Sequence, residues 1–175
     1  MDITPNFTIR PFAPGDAAAF HSLNRQWITT LFQMEASDEA ALSDPEGTIL
    51  TPGGTIFVAE QSGTVVGCVA LLPMLNESYE VAKMAVAQEM QGRGVGRKLL
   101  AAAIDWARAR GAKRLYLESN HVLAPALHLY ESVGFRYLPP EEIVASPYAR
   151  ADVFMELWLT EDWLTEEAAR TRREA

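Results

Sequence analysis

Hydrophobic positions alternate with polar ones in some stretches of the chain and fall at helical spacing in others. Phe7, Ile9 and Pro11 alternate with Thr8 and Arg10, which predicts a short strand. After the turn at Pro14-Gly15, Asp16 stands where a helix cap belongs, and Phe20, Leu23 and Trp27 then share one helical side. From Thr29 to Gly54 short helical pieces mix with loop, and Asp44-Pro45 reads as a cap and a first helical position. TIFVAE (55–60) and TVVGCVALLPM (64–74) are β-rich runs separated by Gln61-Ser62-Gly63, a hairpin whose glycine supplies a positive φ. A turn over Asn76 to Ser78 leads to a fourth strand, YEVAKMAV (79–86).

A glycine stretch, QGRGVG (91–96), then opens a helix with Leu99, Ala102, Ala103 and Trp106 at helical spacing, stopped by Gly111. KRLYLES (113–119) reads as a strand, and Pro125 to Val133 as a helix ended by Gly134. Phe135 to Leu138 and Val153 to Leu159 predict two closing strands around a polar, proline-containing loop. There is no internal repeat, and 175 residues suit one domain, here 1–160. The tail, 161–175, is acidic first and basic last, which suits a helix dipole or a frayed end.

Composition narrows the class. No apolar run reaches the length of a membrane-spanning helix, and the N-terminus lacks the basic and apolar regions of a signal peptide. The single cysteine, Cys68, has no partner for an internal disulfide, so a cytoplasmic location is expected. A net charge of -8 argues against a general nucleic-acid-binding surface and favours a cationic substrate such as an amine, although it serves solubility equally.

The glycine stretch carries the candidate chemistry. A strand, a glycine-rich turn and a helix start together present free N–H groups and a favourable dipole to an anion. Arg93, Arg97 and Lys98 add positive charge at the rim. A P-loop needs Gly-Lys-Ser/Thr after four residues, and no such match is present. The dinucleotide fingerprint fails because Arg97 stands where its last glycine belongs.

Gln91-Gly92-Arg93-Gly94-Val95-Gly96 matches the Q/R-x-x-G-x-G/A signature of the GNAT family of acetyl-CoA-dependent N-acetyltransferases. Downstream, LHLYESVGFR (127–136) resembles that family's block of a helix ending in tyrosine followed by Gly-Phe. The resemblance runs from about Phe7 to Leu159. It implies an α/β (α+β) fold: a mixed, mostly antiparallel sheet of about seven strands flanked by helices, with splayed fourth and fifth strands. It also implies acetyl-CoA as cosubstrate, no metal, and a small-molecule amine or amino-acid-like acceptor. Many relatives are dimers, so a homodimer is an expectation, with no nucleic-acid or membrane partner.

Carried onto this chain, the resemblance places the pyrophosphate on the amides from Gln91 to Gly96, with Arg97 beside them. Met84, Ala85 and Val86 would meet the pantetheine arm, Met84 and Val86 by backbone pairing, with one amide aimed at the thioester carbonyl. Such an oxyanion donor is worth about 3–4 kcal/mol. Asn120 matches a position that contacts CoA, though it equally suits a turn. Tyr130 matches the tyrosine near the departing sulfur; the bland alternative is a ring packed in the core.

Keeping a lysine-like amine neutral at pH 7 costs roughly 4–5 kcal/mol, which calls for a base. Glu80 is the candidate, sharing a strand face with Met84 if no bulge intervenes, or else an ordinary surface glutamate. Glu118 faces away from Leu115 and Leu117, towards the gap. Trp27, Phe32, Met34, Glu35, Tyr148 and Arg150 are candidates for the acceptor pocket. Arg150 suits a substrate carboxylate, or pairs with Asp152 or another acid. His121 and His128 have no spacing for a metal site, and Cys68 reads as a buried thiol rather than a nucleophile. The reading is therefore a direct-transfer N-acetyltransferase with Glu80 and Tyr130 as catalytic residues. Its rivals are a non-catalytic acyl-CoA-binding module and an enzyme using another phosphate-bearing ligand.

Overall fold

Residues 6–160 are described by a computed structural model. Seven strands form one sheet: β1 (Thr8–Pro11), β2 (Thr55–Gln61), β3 (Thr64–Met74), β4 (Ser78–Val86), β5 (Arg114–Ser119), β6 (Arg136–Tyr137) and β7 (Val153–Trp158). Their order across the sheet is β1-β2-β3-β4-β5-β7-β6. Every neighbouring pair is antiparallel except β4 and β5. The hairpin between β2 and β3 is a two-residue turn, with Ser62 at φ +50 and Gly63 at φ +79, the conformation that matches strand twist.

Helices cover both faces of the sheet, which explains why β3 is apolar without alternation: Val66 and Cys68 to Leu71 are all buried. On one face α3 (Val95–Ala109) presses Leu99, Leu100 and Ala103 onto Val69, Leu71, Val81, Leu115 and Met155. The helix α4 (Ala124–Ser132) joins that layer through Tyr130. On the other face α1 (Ala17–Leu31) and α2 (Ala36–Ser43) contribute Phe20 and Leu42 to a cluster with Ile56, Val58, Cys68 and Ala85. Among the described residues no helix is long and apolar enough to cross a membrane.

Two local expectations need correction, and a third holds. Asp16 precedes α1 but does not cap it: its carboxylate turns back to Ala13 N–H (2.8 Å) and takes both terminal nitrogens of Arg10. The expected start at Asp44-Pro45 holds: Asp44 Oδ1 accepts from Gly47 N–H (2.9 Å), and Pro45 leads into one wide turn, Glu46–Leu50, closed by Thr51 N–H to Glu46 C=O at 2.8 Å. The strand expected over Phe135 to Leu138 shrinks to two residues, and Phe135 N–H closes back on Tyr130 C=O at 3.1 Å at the end of the preceding helix. The predicted tail, 161–175, lies outside the described residues.

Two irregularities in β4 create the site. Its pairing with β5 runs from Ser78/Arg114 to Val81/Leu117 and stops, so the strands part there. Immediately afterwards β4 bulges: Ala82 pairs with Ala70 but Ala85 with Cys68, three steps against two, with Lys83 at φ +50. The extra residue reverses the alternation. Tyr79, Val81, Met84 and Val86 pack against the α3 layer, whereas Ala82 and Ala85 oppose residues of the α1 layer. Glu80 opposes Leu72, which also packs in the α1 layer. Glu80 and Met84 therefore lie on opposite faces, and the shared face expected from strand parity is overturned by the bulge.

Candidate active site

A cleft of about 730 Å³ opens where β4 and β5 separate. One wall is β4 from Glu80 to Val86; the other is the end of β5 with α4. The glycine turn and the start of α3 close one end, and Trp27, Phe32, Tyr148 and Arg150 close the other.

The glycine end is built from backbone. Gly92 (φ +73) and Gly94 (φ +80) hold left-handed conformations, and a Cβ on either would meet nothing within 4 Å. Neither glycine is required by protein packing; both leave open space before the chain. Gly96 is different, since a Cβ there would stand 3.2 Å from Leu129 Cδ2 and from Met84 Cε, so it lets α3 approach α4 and β4. No side chain caps α3, whose first helical bond beyond the cap runs from Lys98 N–H to Gly94 C=O. The N–H groups of its first turn are free for an anion. Gln91 ties the turn to β4 by donating from Nε2 to Val86 C=O (3.3 Å). Arg97 lines the cleft and donates to Ser132 Oγ at 2.8 Å; Arg93 is exposed and outside the lining. These residues fit a pyrophosphate.

At the middle of the cleft Tyr130 is buried, and among the described residues its hydroxyl donates only to Met84 Sδ at 3.9 Å, a weak acceptor. Burial pushes its pKa up to about 12. Asn120 is committed within the protein: Nδ2 donates to Arg150 C=O (2.6 Å) and Oδ1 accepts from Val122 N–H (2.9 Å), which is the turn role.

Across the sheet stand two carboxylates. Glu80 is the register partner of Tyr116, and Glu118 follows two residues later on the same face of β5. Glu118 accepts hydrogen bonds from the hydroxyls of Tyr116 (3.0 Å) and Ser146. Burial, reinforced by the Glu118 charge and opposed by Lys83, pushes the Glu80 pKa up to about 7.

The far end is tied by an ion network. Lys83, displaced inward by the bulge, donates to Asp38 Oδ1 (2.8 Å) and to the Tyr148 hydroxyl (2.9 Å). Arg150 grips both Asp38 oxygens at 2.7 and 2.8 Å and reaches Glu35 at 3.4 Å. It is thus paired with acids of α2 and its cap; Asp152 pairs instead with His121. Burial opposes charge on Asp38, yet the Arg150 and Lys83 hydrogen bonds outweigh it and hold its pKa at about 2. Glu35 takes part in this network, while Met34 packs beneath, in the α1 layer. Cys68 is fully buried behind the bulge, its Sγ receiving Asn24 and donating to Lys83 C=O, and burial raises its pKa to about 12. Among the described residues no group of three or more metal-ligating side chains occurs.

Sequence reasoning missed Asp38 and the inward role of Lys83. A lysine inside the apolar run YEVAKMAV was a signal, because a charge there needs a buried partner. Nothing in the helix ASDEAALS marked Asp38 as that partner.

Comparison with known proteins agrees with this geometry. The model of the acetyltransferase (GNAT) family matches residues 18–135. Streptothricin acetyltransferase of Streptomyces lavendulae is 31% identical over 155 residues, covering 75% of this chain and 82% of that protein. IAA acetyltransferase of Azospirillum brasilense is 33% identical over 134 residues, 75% of this chain and 85% of its own. Among solved structures, the Salmonella typhimurium protein yncA with its cofactor acetyl-CoA matches with a TM-score of 0.70 and 26% identity, over 89% of this chain and 95% of that one. The chain belongs to the GNAT acetyltransferase family. It is an acetyltransferase whose acyl donor is acetyl-CoA.

Proposed function

We propose that the protein transfers acetyl directly from acetyl-CoA to a primary amine of a small molecule, with Glu80 accepting the amine proton and Tyr130 hydrogen-bonding the departing sulfur. The observation that carries this reading is the placement of the two groups. Glu80 and Tyr130 line one cleft from opposite faces of the sheet, at the point where β4 and β5 part. In it the amides of Gln91 to Gly96, with Arg97, bind the pyrophosphate. Met84, Ala85 and Val86 line the channel for the pantetheine arm, and Asn120 shapes the turn beside it. Arg93, exposed and outside the lining, contributes charge alone.

Acetyl-CoA supplies an activated carbonyl. The amine nitrogen forms the new C–N bond, the C–S bond breaks, and the proton leaves nitrogen for Glu80. A carboxylate with a pKa of about 7 narrows the gap to a lysine-like amine by about 3 kcal/mol relative to an ordinary glutamate. Tyr130 near 12 is too weak an acid to protonate a thiolate whose own pKa is about 8.5, an uphill step of about 5 kcal/mol. It remains a neutral donor that stabilises the thiolate until solvent protonates it. Cys68 lies outside the cleft lining with its thiol suppressed, which favours direct transfer over an acyl-enzyme. A non-catalytic acyl-CoA-binding module would have no use for a carboxylate poised in this way.

Release of the CoA thiol from acetyl-CoA, followed with a panel of small amines, tests the reading. Glu80→Gln is expected to lower kcat/KM by about 10²–10⁴ while acetyl-CoA still protects the variant against heat. Wild-type turnover in Glu80→Gln would remove Glu80 from the mechanism.

A further inference from the structure

The acceptor half of the cleft contains both signs of charge, but they are not equally available. Its two cations are Lys83 and Arg150. Both are bound to Asp38, whose side chain is completely buried, and Arg150 also meets Glu35. Two cations and two acids thus neutralise one another within the wall. Arg114, on the same strand as Glu118, is paired with Glu156. The anions facing the cleft have no such compensation. Glu80 feels Lys83 only at a distance, and Glu118 is held by two hydroxyls rather than by a cation. A carboxylate has about four acceptor positions, so two neutral donors leave Glu118 capacity for a further one. Both carboxylates project from the same sheet face, one on each side of the opening between β4 and β5.

One amine would satisfy only one of these groups. Once the reacting nitrogen has given its proton to Glu80, Glu118 still faces the cleft, held among the described residues by two hydroxyls and by no cation. Among the described residues, a substrate carboxylate in the acceptor half would find no unpaired cation: the residue best suited to hold one, Arg150, has both terminal nitrogens on Asp38.

Resting on the acetyltransferase reading above, we infer that the acceptor is a diamine or longer polyamine, whose second ammonium is held by Glu118 while its first amine reacts beside Glu80. Glu118 is then a specificity-determining residue. An ammonium on a carboxylate is a charge-assisted hydrogen bond, stronger than any contact an uncharged chain end makes there. An anionic chain end is repelled by the same group.

The test compares three acceptors of equal length with acetyl-CoA: 1,4-diaminobutane, n-butylamine and 4-aminobutyrate. Diamines from two to six carbons locate the best spacing. The expected result is a kcat/KM for the best diamine about tenfold or more above that of its monoamine, with the amino acid poorest. In Glu118→Gln, which keeps an acceptor for Tyr116 and Ser146, the diamine-to-monoamine ratio should fall towards one. Equal rates for diamine and monoamine, or preference for the amino acid, would overturn the inference, and the wild-type ratio suffices even if the variant folds poorly. No turnover of any diamine by protein that acetyl-CoA protects against heat would also overturn it, with the donor site intact. Absence of that protection would instead undo the functional reading on which it rests.

Discussion

The two ends of the cleft are made of different material. The end proposed to hold the donor is a single short segment, from Gln91 to Arg97, that presents backbone N–H groups, two left-handed glycines and a helix start. The acceptor end is a set of side chains drawn from α1, α2, the β4 bulge, β5 and the loop before β7. Asp38 lies 45 residues from Lys83 and 112 from Arg150, yet it contacts both. A backbone site tolerates change in its surroundings and fails when its own few residues change. A side-chain network fails when any one of several distant residues changes, because each removal strands a buried charge.

The largest effect should follow from breaking the network at its centre. Asp38→Asn leaves Lys83 and Arg150 buried without their counter-charge, which costs about 3–5 kcal/mol. For a chain of this size that is a fall in Tm of about 10 °C, measurable by thermal melting without ligand. The wild-type protein should show the same dependence in acid. Asp38 has a pKa depressed to about 2, so its stabilisation is present above the ordinary carboxylate range and is lost as pH falls from about 4 towards 2. An unchanged melting temperature in Asp38→Asn would show that the network holds the acceptor wall in shape without holding the fold together.

The donor end should break in the opposite manner. Gly94→Val places a branched residue at φ +80, which costs about 1–2 kcal/mol and fills the open space before the helix start. Thermal stability should fall modestly, but protection by acetyl-CoA should fall by more than about tenfold in apparent affinity. Gly96→Ala tests the other reason for glycine, since its Cβ would press on the flexible ends of Leu129 and Met84. If Gly94→Val binds acetyl-CoA normally, the anion site is not at this turn.

The contrast between the ends also explains what the sequence disclosed. QGRGVG is contiguous, and each feature it needs is local, so a helix start open to an anion was legible from residue types and spacing, while its place beside a cleft came from the family resemblance. The seven-stranded sheet was legible for the same reason: β2 to β5 announce themselves by runs of β-branched residues and by Gly63 and Gly111 at their turns. The bulge was not. One extra residue in β4 leaves no mark on hydrophobic alternation until the register with β3 is known, and it reverses the faces of every later position. That single step separated Glu80 from Met84 and directed Lys83 to Asp38. Asn120 likewise showed its turn character only once Arg150 C=O and Val122 N–H were seen beside it.

A pH experiment sharpens the comparison at the junction of the two ends. With Glu80 near 7, kcat/KM for the best amine should rise through about pH 7 as the carboxylate forms. Glu118→Gln removes the like charge that helps raise it, so the rising limb should move to lower pH. The same group costs stability. Its folded pKa is raised, so its contribution is fully present below about pH 4.5 and is lost as pH rises through about 7. Glu80→Gln should therefore be more stable than wild type at pH 8, by about 1–3 kcal/mol, while being far less active. A variant that loses both activity and stability there would mean that Glu80 supports the fold rather than the chemistry.

The smallest effect separates two arginines that the sequence presented as equals. Arg97 lines the cleft and is steadied by Ser132, whereas Arg93 is exposed and outside the lining. An exposed cation near a bound phosphate contributes about 0.3–1 kcal/mol, and salt screens it. Arg97→Gln should accordingly weaken acetyl-CoA about two- to fivefold at low ionic strength, and the loss should shrink as salt is added. Arg93→Gln should leave affinity within about twofold of wild type under both conditions, since an exposed cation outside the lining is screened by solvent and salt. Titrations of the two variants with acetyl-CoA at low and moderate salt decide the matter. Equal losses would show that the rim acts as a diffuse positive field, and that the backbone amides alone fix where the pyrophosphate sits.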